Sequence, residues 1–323
     1  MYTAFLYPGQ GEQSPRFLHA LPDSPAVRDT LAEAVRILDL DLDQIDSEAS
    51  LRSTVAVQLT ALIAGVAYTR HLAAAGALPD AVAGLSVGAF TAAVASAALP
   101  FDQALRLVRL RALTMEQGFG GGGYGMAAVL GLGEASVRAL VEPIALGGTP
   151  VYVASVNAPA EIVIAGSEVG LAAAFTAIER AGAKLRRLKV SVPSHGSLLD
   201  GVSAQLREAM SGLCLERPRV PYVSNHRARA LEDGAAIAED LILNVSRTVR
   251  WHDSVLLLYE LGARLFVELP PGHTLSSLVR AGFPQARALA AADADAASIA
   301  QLVRAGANPQ SSRMHNPESR GSR

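Results

Sequence analysis

The stretch with the clearest capacity for chemistry is Gly84-Leu85-Ser86-Val87-Gly88. A short apolar run precedes it and an alanine-rich segment follows, so the serine is predicted to lie on a sharp turn between a buried strand and a helix. Such a turn exposes the hydroxyl and points the N–H of Val87 the same way, towards the positive end of the new helix. A Cβ at either glycine would crowd the strand and the helix. The pattern therefore predicts a serine nucleophile with half of an oxyanion hole.

Arg111 is the arginine whose position needs an explanation. It falls on an otherwise apolar stripe of a predicted helix, Phe101 to Gln117, whereas Arg106 and Arg109 lie on a different face with Asp102. An unpaired buried charge is too costly, so a core-facing arginine requires an anion or several acceptors. The residues alone leave three interpretations open: a ligand-binding guanidinium, an internal ion pair, or a side chain that reaches past the core to solvent.

His195 lies in the loop Val192-Pro-Ser-His-Gly196, directly after a predicted strand, Leu185 to Val192. A loop at a strand end is a typical place for a general base. That position favours His195 over His19, His71 and His315, but by itself it does not separate His195 from His252 or His273.

Composition excludes several function classes. The chain has 323 residues, half of them hydrophobic, which is enough for a sizeable core. A net charge of −2 with 18% charged residues argues against a nucleic-acid-binding surface. The single cysteine, Cys214, cannot form an internal disulfide and has no metal-ligand spacing around it, so it is expected to be a small buried side chain, and no metal site is expected.

The elements predict an α/β protein with an insertion. Strand-like and helical runs alternate in the first and last thirds, which is typical of a parallel sheet covered by helices. Between them, the order β-α-β-β-α-β is typical of a ferredoxin-like unit. We therefore expect a large α/β-hydrolase-like domain (1–124 and 192–304), an inserted ferredoxin-like domain (125–191) and a disordered tail (305–323).

No targeting or membrane segment is predicted. The first residues lack a basic region and reach Pro8-Gly9 too soon for a signal peptide. The uncharged span from Ala81 to Phe101 is long enough to cross a bilayer, but it is rich in Ala, Gly and Ser and contains the serine turn. It is interpreted as a buried strand and helix in a cytoplasmic protein.

Several motifs occur together in one order along the chain. They are Pro8-Gly9-Gln10-Gly11, Gly84-Leu85-Ser86-Val87-Gly88, Arg111, Gly125-Met-Ala-Ala-Val-Leu-Gly-Leu132, Asn157 followed by Ile162-Val-Ile-Ala-Gly166, and Val192-Pro-Ser-His-Gly196. As a set, covering residues 2 to 280, they resemble the malonyl-CoA:acyl carrier protein transacylase family.

The resemblance implies a role for each site residue. Ser86 would be the nucleophile and His195 its base, in a dyad whose imidazole is oriented by a main-chain carbonyl, at Asn244, rather than by an aspartate. The main-chain N–H groups of Gln10 and Val87 would form the oxyanion hole. Arg111 would hold the free malonyl carboxylate through a bidentate pair.

One departure from the family pattern points to a subfamily. Members from fatty acid synthesis usually have Gly-His-Ser-x-Gly-Glu, whereas Leu85 and Ala89 occupy the His and Glu positions here. The form Gly-Leu-Ser-Val-Gly-Ala-Phe resembles the epsilon (transacylase) subunit of biotin-independent malonate decarboxylase. The resemblance thus implies a malonyltransferase with no permanently bound cofactor, using malonyl-CoA as substrate. Its partners would be an acyl carrier protein with a prosthetic-group thiol and other decarboxylase subunits.

Three alternatives stay open. The first is a malonyl-CoA:acyl carrier protein transacylase of fatty acid or polyketide synthesis. The second is an α/β-hydrolase such as a thioesterase, for which Asp253 and His273 are the available acid and base. The third is a non-catalytic subunit that docks a carrier protein on a basic strip, Lys184, Arg186, Arg187 and Lys189.

Overall fold

The structure, a computed structural model, describes residues 2–190 and 192–307. Within those residues the strands are β1 (Tyr2–Tyr7), β2 (Ala81–Gly84), β3 (Tyr124–Leu130), β4 (Val151–Ala158), β5 (Glu161–Ser167), β6 (Lys184–Arg187), β7 (Tyr222–Val223), β8 (Ala230–Leu231), β9 (Ala263–Glu268) and β10 (Arg287–Ala290). The helices are α1 (Pro25–Leu38), α2 (Asp43–Asp46), α3 (Thr54–Ala74), α4 (Gly88–Ala95), α5 (Phe101–Phe119), α6 (Glu134–Leu146), α7 (Glu168–Arg180), α8 (Asp200–Met210), α9 (Gly234–Asn244), α10 (Trp251–Glu260), α11 (Thr274–Gly282) and α12 (Ala296–Ala307).

The larger sheet confirms the predicted parallel α/β arrangement. As far as the described residues go, its six strands follow the order β10-β9-β1-β2-β7-β8, and only the β7–β8 pair is antiparallel. Both faces of β1 are buried. Phe5 and Tyr7 join one hydrophobic cluster with α3, α4 and α5, and Ala4 and Leu6 join another with α10 and α11. Burial on both faces explains why β1 is a continuous apolar run.

The topology of this sheet brings distant loops together. Because β1 and β2 are parallel, with Tyr7 paired to Gly84, the loops that follow them leave from the same edge of the sheet. The loop after β7 leaves from that edge too, since β7 is parallel to β2. The carboxyl edge of such a sheet is where ligands bind in open α/β folds.

A separate antiparallel sheet is built entirely from residues 124–187, all of which the structure describes. Its order β4-β5-β3-β6 and its element order β3-α6-β4-β5-α7-β6 match the predicted ferredoxin-like unit. One face packs on α6 and α7 through residues such as Val137, Ile164 and Leu171. The other face carries a small apolar cluster that includes Met126 and Ala128. The domain boundaries themselves stay a prediction.

Three sequence expectations differ from the structure. The strand predicted from Leu185 to Val192 ends at Arg187: the N–H of Leu188 still donates to the Met126 carbonyl of β3 at 3.0 Å, but regular pairing stops there, and Leu188 and Val190 pack on the apolar cluster around Met126. The disordered tail is expected from residue 305, but α12 extends to Ala307; the rest of that expectation, residues 308–323, lies outside the described residues. Cys214 is exposed rather than buried.

The uncharged span from Ala81 to Phe101 divides into β2, the serine turn and α4. Among the described residues, no helix is both long and apolar enough to cross a membrane.

Candidate active site

Ser86 lies on the turn between β2 and α4 with a backbone φ of 56°, in the left-handed region that a non-glycine residue adopts only under constraint. The flanking glycines are sterically required. A Cβ on Gly84 would lie 2.0 Å from the carbonyl oxygen of Gly88, and one on Gly88 would lie 2.2 Å from that of Tyr7. The strand-turn-helix predicted from the sequence is therefore present, with its serine forced outward.

His195 faces Ser86 from the loop between β6 and α8. Its φ is 64°, also left-handed, and its N–H donates to the carbonyl of Val245 at 2.7 Å. The ring Nδ1 lies 2.7 Å from the main-chain oxygen of Asn244, so Nδ1 carries the proton and Nε2 is left as an acceptor. Ser86 Oγ lies 2.8 Å from Nε2. This geometry lets the serine hydroxyl donate its proton to the imidazole.

Arg111 lies on α5, and its side chain approaches Ser86 Oγ from the protein interior. It is 1% exposed, and its Nη2 lies 3.3 Å from Ser86 Oγ. Its Nη1 donates to Gln58 Oε1 at 2.5 Å, while Nε has no hydrogen-bond partner in the described part of the chain. No carboxylate among the described residues forms an ion pair with it. The internal ion pair that the sequence left open is thus not seen there, and the guanidinium keeps unused donors beside the nucleophile.

Burial sets the protonation of the basic groups. It lowers the pKa of Arg111 to about 10, which still leaves the guanidinium charged at neutral pH. Burial and, secondly, the charge of Arg111 lower the pKa of His195 to about 3, against the opposing hydrogen bond to Asn244. His195 is therefore neutral at physiological pH and ready to accept a proton.

The two predicted oxyanion donors are main-chain N–H groups at the ends of β1 and β2. Neither Gln10 nor Val87 donates its N–H to an acceptor within the described residues. The loop that carries Gln10 packs closely on the serine turn, because a Cβ on Gly9 would lie 3.1 Å from the oxygen of Leu85 and 3.5 Å from Ser86 Cβ. Their roles as oxyanion donors stay predictions.

Sequence reasoning missed the side chains that hold this arrangement. Asn225 lies just after β7 and bonds to the backbone of the serine turn, and the amide of Asn244 does the same. Gln58 is a fully buried residue of α3, and its side chain bridges Arg111 and the side chain of Gln10, the latter at 3.3 Å. An asparagine after a strand at the carboxyl edge of the sheet was the available signal for Asn225.

A cleft of about 420 Å³ opens above Ser86 and His195 between the two sheets. Its walls include Leu85 and the loop with Gln10 on one side, and Met126, Asn157 and Val163 on the other. Arg186, Arg187 and Lys189 also line it, so the predicted basic strip borders the cleft rather than a remote edge. Arg187 is paired with Glu168.

The residues proposed for a hydrolase triad lie elsewhere. Asp253 pairs with Arg250 at 2.8 Å, and the half-exposed His273 pairs with Asp293 at 2.9 Å. Asp293 raises the pKa of His273. The structure places neither Asp253 nor His273 in hydrogen-bond contact with Ser86 or His195, both of which are fully described.

Known proteins resemble this chain over most of its length. The acyl transferase domain profile matches residues 4–315. A malonyl CoA-acyl carrier protein transacylase from Salmonella typhimurium is 33% identical over 283 residues, covering 86% of this chain and 91% of the relative. The chain belongs to the malonyl-CoA:acyl carrier protein transacylase family.

Solved structures of family members superpose closely on this chain. FabD from Acinetobacter baumannii aligns with a TM-score of 0.89 and 32% identity, covering 94% of this chain and 98% of that one. A malonyl-transacylase solved in complex with its type II PKS acyl-carrier protein aligns with a TM-score of 0.88 and 31% identity, covering 93% and 99%. Both share the mixed fold of a parallel sheet with a separate antiparallel one. The family predicted from the motifs is confirmed; the decarboxylase subfamily is not, and these relatives favour the alternative of an ordinary transacylase.

Proposed function

We propose that this chain is an S-malonyltransferase that moves a malonyl group from malonyl-CoA to the thiol of an acyl carrier protein. The observation that carries the proposal is one contact set: Ser86 Oγ lies 2.8 Å from His195 Nε2 and 3.3 Å from Arg111 Nη2. A nucleophile and a neutral base that line one cleft thus meet a guanidinium buried behind them. That combination suits an acyl group with its own carboxylate.

The reaction would proceed in two acyl transfers. His195 Nε2 takes the hydroxyl proton as Ser86 Oγ attacks the thioester carbon of malonyl-CoA, and the N–H groups of Gln10 and Val87 stabilise the oxyanion. The C–S bond then breaks, and the imidazolium returns the proton to the CoA sulfur. In the second half, the carrier thiol gives its proton to His195 and its sulfur attacks the malonyl-serine ester. The C–O bond to Ser86 Oγ then breaks, and the imidazolium returns the proton to that oxygen, which restores Ser86 and His195. No permanently bound cofactor takes part in these steps.

Arg111 would set the substrate class. A malonyl carboxylate would occupy the guanidinium donors that the protein leaves free, whereas an acetyl group would leave that buried charge without an anion. The same pairing would neutralise the charge that lowers the pKa of His195. Substrate binding would therefore make the imidazole a stronger base at the moment when it is needed.

The basic strip is proposed as the contact surface for the carrier. Arg186 and Lys189 are exposed, line the cleft and form no ion pair within the described residues, so they are free to meet acidic groups at the entrance. Lys189→Glu with Arg186→Glu should raise the KM for the carrier about tenfold with malonyl-CoA loading of Ser86 unchanged. Arg36→Glu, an exposed arginine on α1 outside the cleft, is the control.

A pantetheine-bearing carrier of fatty acid or polyketide synthesis is the partner that the family relatives favour. The carrier subunit of malonate decarboxylase is a second candidate, favoured by Leu85 and Ala89. Leu85 lines the cleft and Ala89 is fully buried in α4, so neither offers the polar group usual for fatty acid synthesis enzymes. The larger unit's likeness to α/β-hydrolases, the domain boundaries given above and a cytoplasmic location belong to the same proposal.

The test offers radiolabelled malonyl-CoA to the purified chain with each kind of holo carrier and measures label on the carrier thiol. We expect transfer to a pantetheine carrier through a covalent Ser86 ester, and no transfer by Ser86→Ala. Release of free malonate at full rate without any thiol acceptor would instead indicate a hydrolase. Loading of the carrier by Ser86→Ala at the unaltered rate would leave only a docking role.

A further inference from the structure

The backbone of Ser86 is held by two side-chain amides. Its N–H donates to Asn225 Oδ1 at 2.9 Å, and its carbonyl accepts from Asn244 Nδ2 at 3.1 Å. Asn225 Nδ2 also donates to the carbonyl of Gly84 at 2.6 Å, so this one amide spans the turn from β2 to the nucleophile. Since a left-handed non-glycine residue costs about 1–3 kcal/mol, external bonds of this kind are what keep Ser86 in place.

We propose that the side chains of Asn225 and Asn244 form a clamp that positions Ser86 for acyl transfer. The clamp does two things. It directs Oγ towards His195, and it occupies the Ser86 N–H, so that the oxyanion must be received by the next amide, that of Val87. The inference rests on the proposed function for its substrate, but the clamp acts on any acyl transfer at this serine.

Asn225 is itself rigidly held. It is 3% exposed, its N–H donates to Asp240 Oδ2 at 3.2 Å, and its carbonyl accepts the N–H of Arg250 at 2.7 Å. Asp240 is buried and also accepts the hydroxyl of Tyr222 at 2.8 Å. With its backbone bonded on both sides, the Asn225 side chain can present its amide to the serine turn in one orientation, which is the requirement for a positioning residue.

Asn244 links the two members of the reacting pair. Its main-chain oxygen holds the His195 ring, while its side-chain amide holds the Ser86 carbonyl. That carbonyl also accepts the N–H of Ala89 at 3.0 Å, the usual bond at a helix start. A single residue at the end of α9 therefore fixes the distance between nucleophile and base.

The experiment compares Asn225→Ala and Asn244→Ala with the unaltered protein by two measurements. One is kcat and KM for malonyl transfer; the other is the rate at which a fluorophosphonate labels Ser86. We expect each variant to lose about 10²-fold in kcat and in labelling rate, the loss typical of a small misplacement of reacting groups, with KM for malonyl-CoA within about twofold. The acid limb of the pH profile should not move, because the Asn244 main-chain carbonyl stays bonded to His195 in both.

Thr30→Val is the control for lost buried polarity. Thr30 is fully buried on α1, and its hydroxyl donates to Ala26 and accepts from Arg70, far from the serine turn. Thr30→Val should have the same thermal stability as the clamp variants, but Ser86 in it should be labelled at the rate of the unaltered protein. Labelling of Asn225→Ala at the unaltered rate would overturn the clamp.

Two further outcomes keep the test decisive. If Asn225→Ala does not fold, the test rests on Asn244→Ala alone, and an unaltered labelling rate of Ser86 in that variant overturns the clamp. If the unaltered protein does not transfer malonyl groups, the proposed function fails, but the labelling rates still test the clamp.

Discussion

The two residues of the proposed reacting pair, Ser86 and His195, are held by different means. Ser86 belongs to a continuous strand-turn-helix, in which a Cβ on Gly84 would clash with Gly88 and a Cβ on Gly88 would clash with the carbonyl of Tyr7 on the neighbouring strand. His195 lies in a loop without regular structure, and its ring and N–H are fixed by carbonyls of Asn244 and Val245, about fifty positions further along the chain. Both have left-handed backbones, but the serine turn is constrained by close backbone packing as well as by hydrogen bonds, whereas the histidine is held by hydrogen bonds from distant residues.

This difference shows what a local motif can and cannot specify. The motif predicts the form of the serine turn. Distant residues also hold it, because the Tyr7 carbonyl packs against Gly88 and two asparagine side chains bond to the Ser86 backbone. The histidine loop is positioned only after α9 has packed beside it, which places the Asn244 carbonyl. Substitutions of the glycines in the serine turn should therefore act through steric clashes. Substitutions around His195 should act through the loss of a single contact.

The largest effect is expected from removing the base. His195→Ala should lower kcat for malonyl transfer about 10³–10⁴-fold while the protein stays folded, since the imidazole serves both proton transfers. Steady-state kinetics with circular dichroism measure this. His273→Ala, which loses only the pair with Asp293, should stay within about twofold; an equal loss there would favour a hydrolase arrangement.

A side chain added at Gly88 should destabilise the serine turn by overpacking. Gly88→Ala places a Cβ 2.2 Å from the Tyr7 carbonyl and should lower the free energy of unfolding by about 2–4 kcal/mol, measured by denaturant titration. Gly201→Ala is the matched control, because a Cβ there meets nothing within 4 Å and lies in helix α8. It should be neutral or stabilising by up to about 1 kcal/mol. Equal effects of the two would show that the turn is not sterically constrained.

Arg111 should govern which acyl group is accepted. Arg111→Gln should lower kcat/KM for malonyl-CoA about 10²-fold and leave that for acetyl-CoA unchanged or higher, because the anion loses its partner. Arg109→Gln, on the same helix but bonded to the Leu38 carbonyl, should change neither value more than about twofold. A parallel loss for both acyl groups in Arg111→Gln would contradict a role in selectivity.

The smallest effect concerns pH. With the pKa of His195 near 3, kcat/KM of the unaltered protein should be flat from neutral pH down to about pH 5. Arg111→Gln removes the positive charge that disfavours the imidazolium, so the pKa of His195 rises and the acid limb moves to higher pH. Acetyl-CoA as substrate isolates this effect from carboxylate binding. An acid limb that stays in place would mean that burial alone determines the pKa.

The fold was predictable where patterns are local. The apolar run of β1, the serine turn and the β-α-β-β-α-β order each follow from residues close in sequence, and each is present. The strand expected to reach Val192 stops at Arg187. The prediction was wrong because alternation of apolar residues does not reveal whether they pair with a neighbouring strand or pack on a different cluster.

By itself the sequence predicted the serine turn and the family, because a glycine-flanked serine between an apolar run and a helical segment and an ordered set of motifs can be identified without knowledge of distant contacts. Tertiary structure alone decided that His195 and not another histidine meets Ser86, that Gln58 bonds Arg111, and that Asn225 and Asn244 hold the serine backbone. These are hydrogen bonds between residues up to about 160 positions apart. The residues that form these bonds are brought together at the carboxyl edge of the parallel sheet, and that arrangement exists only once the sheet has formed.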